Sequence, residues 1–545
     1  MAKLQSLDHC LRCKMMMNLS RIGARKRWIA TGRATHNSEF SADLEELQGQ
    51  VMCHQSTSAG IHISHLKDDI AAALNEDERL DTAARVVILA SLLKRCGKIK
   101  ALSDGRLVHA YINRFNYGRN RFLGNWLVKM YGDCGSMDDA RAMFEKLPNH
   151  NSFSWNILIN AYAKNGFSTE ALECFYQMQN SGIKPDRVTF ICALDACASA
   201  AALEKGHGIH GAIVECGYEE QVVVGTALVN MYGKCGSLED ARSVFDRMPH
   251  RNVVSWSAMM AAYVQNGHAK EALECFHQMQ LCGIKPDQVT FVSAIDACAV
   301  LAALEKGQEI HTAIVDRGYE GQVVVGTALV NMYGKCGSLE DAGTVFWRMA
   351  DRNAVSWGAM IAACAKNGHS QEALDLFKQM QCHGFKPDHI TFLSVLTACS
   401  HTGRVDDARH YFSSMSRDHG IQPKLEHYMC LIDILGRAGN LDDAENLINS
   451  TPFKNLARAW LCLLSACKVH GDVDRGARVA RHIFKLDPKN AVPYVLLSSI
   501  YAAAGRWDET QKLREVLQQQ QPGYCHSEIG KSIHDYGNEA NQILI

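Results

Sequence analysis

The sequence carries no excess of charge. Over 545 residues, 57 Lys and Arg stand against 58 Asp and Glu, a formal net charge of −1. A chain so balanced does not hold a polyanion by bulk attraction. It also lacks a long apolar run. The longest uncharged stretch, Leu47–Leu66, is filled with Gln, Ser and His, and the more apolar Asn252–Ala269 is shorter and interrupted by Ser, Gln, Asn and His. A spanning helix wants about 20 mainly apolar residues, so no membrane partner is expected. Proline is scarce, at 10 residues. No segment alternates apolar and polar residues for long enough to suggest a sheet. Apolar content is ordinary at 47%, which excludes wholesale disorder and a purely fibrous protein. Cysteine, at 21 residues, is abundant. The length exceeds one core, which stops growing at roughly 250–300 residues, so several domains or a repeat array must account for it.

Residues 1–38 hold eight basic side chains (Lys3, Arg12, Lys14, Arg21, Arg25, Lys26, Arg27, Arg33) and one acid, Asp8. Their apolar residues form no continuous core, so a secretory signal is excluded. An arginine-rich, acid-poor leader fits an organelle transit peptide over residues 1–40, with a disordered basic tail as the alternative. Residues 41–85 read as a weakly patterned linker. Without residues 1–40, which hold eight basic residues and two acids, the balance is 49 basic against 56 acidic residues.

The rest of the chain repeats. Gln221–Ala241, QVVVGTALVNMYGKCGSLEDA, recurs unchanged at Gln322–Ala342, a shift of 101 residues. The same shift carries Trp155 onto Trp256 and Trp357, Pro185 onto Pro286 and Pro387, and Cys96 onto Cys197, Cys298 and Cys399. Each unit divides into parts of 35, 31 and 35 residues, as in Gln288–Gln322, Val323–Asn353 and Ala354–Asp388. Each part reads as two helices. In Val253–Asp287, Trp256, Met259, Met260, Tyr263 and Val264 fall on one helical face, and Asn266-Gly267 ends the helix. Ala272, Leu273, Phe276 and Met279 mark a second helix, which breaks at Gly283-Ile284-Lys285-Pro286-Asp287. Such a pair cannot bury its apolar faces alone, and stacking gives a continuous core with a concave surface. The expected fold is all-α, a right-handed α-solenoid of helix-turn-helix repeats.

Cysteines at equivalent positions of successive units, the Cys96 series and Cys134, Cys235 and Cys336, read as small packing residues. Copies 101 residues apart in a solenoid should lie far apart in space, which disfavours pairing within a series, so a disulfide framework is rejected and a reducing compartment fits.

The repeat text resembles the pentatricopeptide repeat family of plants, in the subfamily that alternates ordinary, long and short repeats. VVSWSAMMAAYVQNGHAKEALECFHQMQLCGIKPD (253–287) matches the ordinary repeat, QVTFVSAIDACAVLAALEKGQEIHTAIVDRGYEGQ (288–322) the long one, and VVVGTALVNMYGKCGSLEDAGTVFWRMADRN (323–353) the short. The resemblance covers residues 86–455 as eleven repeats. Residues 456–521 resemble the tetratricopeptide-like E-type extension of that subfamily, and 522–545 form a short divergent tail.

The resemblance implies single-stranded RNA as partner, with one base read per repeat by two or three side chains. The family's selectors are the fifth and last residues of a repeat. They fall on Asn125 and Asn151, Asn156 and Asp186, Thr226 and Asn252, Ser257 and Asp287, Thr327 and Asn353, and Gly358 and Asp388. Asn both donates and accepts, a hydroxyl does either and a carboxylate only accepts, so such pairs can separate bases by donor–acceptor pattern. By the family's code Asn/Asn favours C, Asn/Asp U, Thr/Asn A and Ser/Asp G. Long repeats place Ile191, Val292 and Leu393 at the fifth position, which cannot hydrogen-bond and should read little. The implied 5′-to-3′ pattern is C-U-any-A-G-any-A. The same resemblance makes Phe153, Val223, Val254 and Val324, at second positions, the residues that sandwich the bases. Against this stands a plainer role: the last residues sit just before a helix, where Asp and Asn are ordinary N-caps. Variation favours selection, because Trp155, Trp256 and Trp357 stay fixed while the next residue runs Asn156, Ser257, Gly358.

Many relatives end in a zinc deaminase domain, which needs H-x-E and a downstream P-C-x-x-C. His526-Ser527-Glu528 has no cysteine after it. No metal, cofactor or catalytic residue is therefore expected, and a deaminase or editing cofactor would act in trans. Cys10-Leu11-Arg12-Cys13 lacks a partner pair, and Gly206–Gly211 fits G-x-G-x-x-G without the strand that motif requires. Gly530-Lys531-Ser532 lacks the P-loop's first glycine. The single histidines His109, His210 and His311 read as packing or surface residues. The expected role is an organellar RNA-binding factor for C-to-U editing or other processing, mitochondrial or alternatively chloroplastic, with no DNA partner. The rival is a tetratricopeptide-like protein scaffold.

Overall fold

The computed structural model describes residues 82–520. The leader, the segment to residue 81 and the tail from 521 lie outside them, as do His526, Glu528 and the two short strings at Cys10 and Gly530. The chain divides into two units, residues 1–88 and 89–545. Of the first, only the opening of the helix Thr82–Lys98 is described, starting inside the segment read as linker. All later helices belong to the second unit.

The described residues form 26 α-helices, a single 3-10 turn at Tyr117–Arg119 and no strand. The helices follow one another in pairs, as in Val253–Gln265 with Ala269–Leu281. From Ser152–Lys164 onward each first helix packs on its own second helix and on the first helices before and after it, while second helices pack on first helices. The first helices therefore make one unbroken layer, and the architecture is an α-solenoid. Ala457–His470, Val473–Leu486, Val492–Ala503 and Trp507–Gln520 continue the stacking as two more pairs.

Local chemistry sets each pair. Asn252 precedes the first helix in extended conformation, its side chain accepts the Ser255 N–H at 3.0 Å, and Ser255 Oγ receives the Asn252 N–H in return. At the other end Gly267 adopts φ 80°, which a glycine tolerates without strain. Trp256, Met259, Met260 and Tyr263 are buried as the periodicity predicts, and so are Ala272, Phe276 and Met279. Val264 and Leu273 are half-buried.

Two devices bring successive first helices close. A Cβ on Gly233 would come within 2.4 Å of the Ala262 Cβ, so only glycine permits the approach. Asn266 Nδ2 donates both to Ala262 O, one turn back, and to Gly233 O in the preceding repeat, each at 2.8 Å. Asn165 and Asn367 do the same to Gly132 O and Gly334 O. Trp155, Trp256 and Trp357 pack edge-on against Phe144, Phe245 and Phe346 of the preceding repeat, with centroids 4.6–4.9 Å apart.

The cysteine series behaves as small core residues. Cys96, Cys197, Cys298 and Cys399 are buried, and every cysteine among the described residues is a free thiol. Burial pushes the Cys399 thiol up to about 12. His109, His210 and His311 each bond through Nδ1 to a tyrosine hydroxyl (Tyr131, Tyr232, Tyr333) at 2.7–2.8 Å, joining a long repeat's second helix to the next short repeat. No described helix is long and apolar enough to cross a membrane.

Candidate nucleic-acid interface

The fifth residue of each repeat lies one turn into its first helix, and the last residue lies at the start of the next. Stacking of first helices therefore puts a repeat's own fifth and last side chains at neighbouring places on one layer. In repeat 152–186 they touch: Asn156 Nδ2 donates to Asp186 Oδ1 at 3.0 Å and lies 3.2 Å from Oδ2. In 253–287 the contact is relayed, because Ser257 Oγ is 2.8 Å from Thr290 Oγ1, which donates to Asp287 Oδ1 at 2.7 Å. In 354–388 Gly358 offers no side chain. A Cβ there would lie 3.1 Å from Thr391 Oγ1, and Thr391 donates to Asp388 at 2.8 Å.

Short repeats behave differently. Thr226 and Thr327 give their hydroxyl protons back to Val222 O and Val323 O at 2.7 Å, and their partners Asn252 and Asn353 are exposed. Asn125 is buried, while Asn151 caps the following helix through the Ser154 N–H at 3.0 Å.

All six last residues are N-caps. Asp186, Asp287 and Asp388 accept the N–H of Thr189, Thr290 and Thr391 at 2.8–2.9 Å, and Asn151, Asn252 and Asn353 accept that of Ser154, Ser255 and Ser356 at 2.9–3.0 Å. Capping uses one oxygen of each side chain; at Asp186 the second also lies 3.2 Å from the Asn156 amide nitrogen. Burial alone would raise the Asp186 carboxyl, but the Thr189 N–H, the Asn156 amide and the Thr189 hydroxyl together hold it below the usual carboxylate range.

Two oxygens at the expected selector positions stand out. Asn125 Oδ1 and Asn156 Oδ1 are buried without a hydrogen-bond partner within the protein. Leaving a buried acceptor unmade costs on the order of 1–3 kcal/mol. At Asn156 the amide nitrogen is committed to Asp186, which leaves the buried oxygen as the end without a partner.

Flanking these positions runs a row of aliphatic side chains. Val223, Val254 and Val324 are 55–57% exposed, and Phe153 is half-buried. The row also contains Val188, Val289, Val355 and Ile390, all exposed, which were not among the residues expected to sandwich bases. Counting to the second position of the long repeats, and of 354–388, would have found them. Four first helices shape a groove of about 420 Å³ here, where Val324, Val355 and Ile390 surround Thr327, Gly358 and Asp388. Asn353 is not among its lining residues. Asp296 and Lys366 bring opposite charges to the same walls. Burial raises Asp296, with Lys335 opposing, and burial lowers Lys366. The fifth-position Ile191, Val292 and Leu393 are half-buried and bring no polar group.

The PPR repeat family model matches residues 150–199, 251–300 and 352–401. The single PPR repeat matches 226–253, 327–353, 390–419 and 426–450, and the E motif matches 470–523. The chloroplastic pentatricopeptide repeat-containing protein CRR2 of Arabidopsis thaliana is 39% identical over 500 residues, spanning 88% of this chain and 76% of the relative. A putative mitochondrial pentatricopeptide repeat-containing protein of the same plant is 38% identical over 450 residues, spanning 82% of this chain and 72% of the relative. Among solved structures, the pentatricopeptide repeat protein PPR10 in complex with an 18-nt psaJ RNA element superposes with a TM-score of 0.62 at 19% identity, over 88% of this chain and 71% of that one. With its repeats, their stacking and relatives of this similarity, the chain belongs to the pentatricopeptide repeat family.

Proposed function

We propose that the first-helix layer binds single-stranded RNA sequence-specifically, with the fifth and last residues of ordinary and short repeats reading base edges and the second-position aliphatics holding the bases apart. The observation that carries this reading is the Asn156–Asp186 pair, in which one side chain is oriented by the other while its buried Oδ1 lacks a partner. An oxygen so held accepts from a base N–H, as the uracil edge offers. The complex of PPR10 with RNA supports the reading by family. The array sits in an organelle, mitochondrion or chloroplast, as the names of its relatives suggest. With its E motif it serves as a site-recognition factor for C-to-U editing, or for another processing step, alongside a deaminase in trans.

The test is binding of a labelled RNA carrying C-U-any-A-G-any-A against one with A and G exchanged. Equal affinity for both, or none for either, overturns the reading. The paired change Thr226→Asn with Asn252→Asp is expected to move preference from A to U at a single base. For the editing role, loss of the gene leaves one or a few organellar cytidines unedited, and unchanged editing everywhere refutes it. A protein scaffold is the second reading, favoured by the 49 basic against 56 acidic residues beyond residue 40, and RNA binding of neither probe would bring it forward.

A further inference from the structure

On the second-helix side the three 101-residue units diverge at one spot. In the first unit Arg141 Nε donates to Glu145 Oε1 at 2.7 Å, Nη2 donates to Gln177 Oε1 at 3.2 Å and Nη1 lies 3.4 Å from Cys174 Sγ. In the second, Arg242 Nε donates to Asp246 at 2.7 Å and also bonds Tyr263. Each arginine thus ties a short repeat's second helix to the following ordinary repeat. In the third unit the arginine is Gly343, the acid is Trp347 and the tyrosine is Cys364, although the 21 residues just before Gly343 are identical to those of the second unit.

The three changes fit together. Beside this spot lies a concavity of about 660 Å³, and Trp347, Leu376 and Gln379, the counterparts of Glu145, Cys174 and Gln177, line it. Glu372 and Asp375 share that lining, and the Trp347 indole is 51% exposed. Arg352 does not replace the lost group: it lies over Phe346 at 5.3 Å and Trp347 at 5.1 Å, the place Arg251 takes over Phe245. The two carboxylates are held only by exposed neighbours, Glu372 by His369 at 3.6 Å and Asp375 by Lys378 at 3.8 Å and Gln371 at 3.1 Å. Exposed pairs of this kind exchange readily.

We propose that this concavity receives an arginine presented by a peptide segment of a protein partner, its guanidinium taking the place that Arg141 and Arg242 fill from within the chain in the other two units. A guanidinium suits the lining: its planar fork of donors meets carboxylates and an amide oxygen, and its face stacks on indole. A lysine ammonium matches neither the fork nor the stack. The site lies apart from the first-helix groove, since no residue lines both, so it stands whether or not the RNA reading does.

The test uses the full chain and the peptide acetyl-Gly-Arg-Gly-amide, with the uncharged citrulline peptide of the same shape as control. Quenching of Trp347, taken as the difference from the Trp347→Phe protein, is expected to saturate with the arginine peptide and to be at least about tenfold weaker with citrulline. The double variant Gly343→Arg with Trp347→Asp rebuilds the internal pair and has room to do so, since a Cβ at 343 meets only Met360 Cε at 3.9 Å. It is expected to lose peptide binding while keeping its thermal midpoint and helical circular dichroism. Equal binding of both peptides, no binding of the arginine peptide, or full binding by a folded double variant would each overturn the proposal. So would displacement of the peptide by labelled RNA, which would give the surface to nucleic acid.

Discussion

At Asp186 a single carboxylate receives the Thr189 N–H at 2.9 Å and the Asn156 amide at 3.0 Å. Capping and orientation of the fifth-position amide therefore coincide, and substitution separates them. Asn caps about as well as Asp. Asp186→Asn should accordingly leave the thermal midpoint nearly unchanged while moving preference at that base from U toward C in competition binding. Asp186→Ala should lose about 1 kcal/mol of stability in chemical denaturation, because the Thr189 N–H is left without its cap. A large stability loss with Asn and no change in base preference would reduce the residue to a cap. Which residues stand here was readable from sequence. That Asn156 is buried with an orphan oxygen was not, since exposure is set by the next repeat, about thirty residues on.

Between elements, the close approach of first helices rests on Gly233 and Asn266. Alanine has the better helix propensity, by about 1 kcal/mol over glycine. At Gly233, however, the new Cβ meets the Ala262 Cβ at 2.4 Å, and overpacking of this kind costs about 1–3 kcal/mol. Gly233→Ala is therefore expected to destabilise the array, which thermal unfolding would report; a gain in midpoint would show that the helices slide apart freely. Asn266→Ala removes two bonds and strips Gly233 O of its inter-repeat donor, with an expected loss of about 1–3 kcal/mol. The Asn-Gly helix stop was legible because capping is local. The second bond of the same amide, into the neighbouring repeat, carries no sequence signature of its own.

For the whole molecule, charge and burial set how conditions act. The groove walls carry both signs, Asp296 and Asp388 against Lys366, so few phosphates should be neutralised. At about −0.7 per phosphate for single strands, log K against log salt is expected to be no steeper than about −3. A much steeper slope would mean that bulk charge, not side-chain recognition, holds the RNA. Stability should also fall in mild acid. Burial lowers His109, His210 and His311 below the ordinary imidazole value. Unfolded imidazoles titrate near ~6.5, so as pH drops below that value the unfolded chain takes up protons that the folded rings refuse, and unfolding is favoured. The midpoint should thus be highest above the unfolded value and decline toward pH ~5. Replacing the three histidines with glutamine should flatten that decline.

The amino-acid sequence alone determined the 101-residue period, the helix pair within each repeat, the capping residues at the junctions and the packing role of the recurring cysteines. Each of these follows from chemistry within a turn or two of helix, or from repetition itself. Only the tertiary structure decided which fifth and last side chains touch, how a groove forms across four first helices, and that a concavity lies beside Trp347. Those features join residues about thirty or more positions apart. Their geometry depends on how closely successive repeats stack, and that spacing is fixed by Gly233, Asn266 and their counterparts acting between repeats rather than within them.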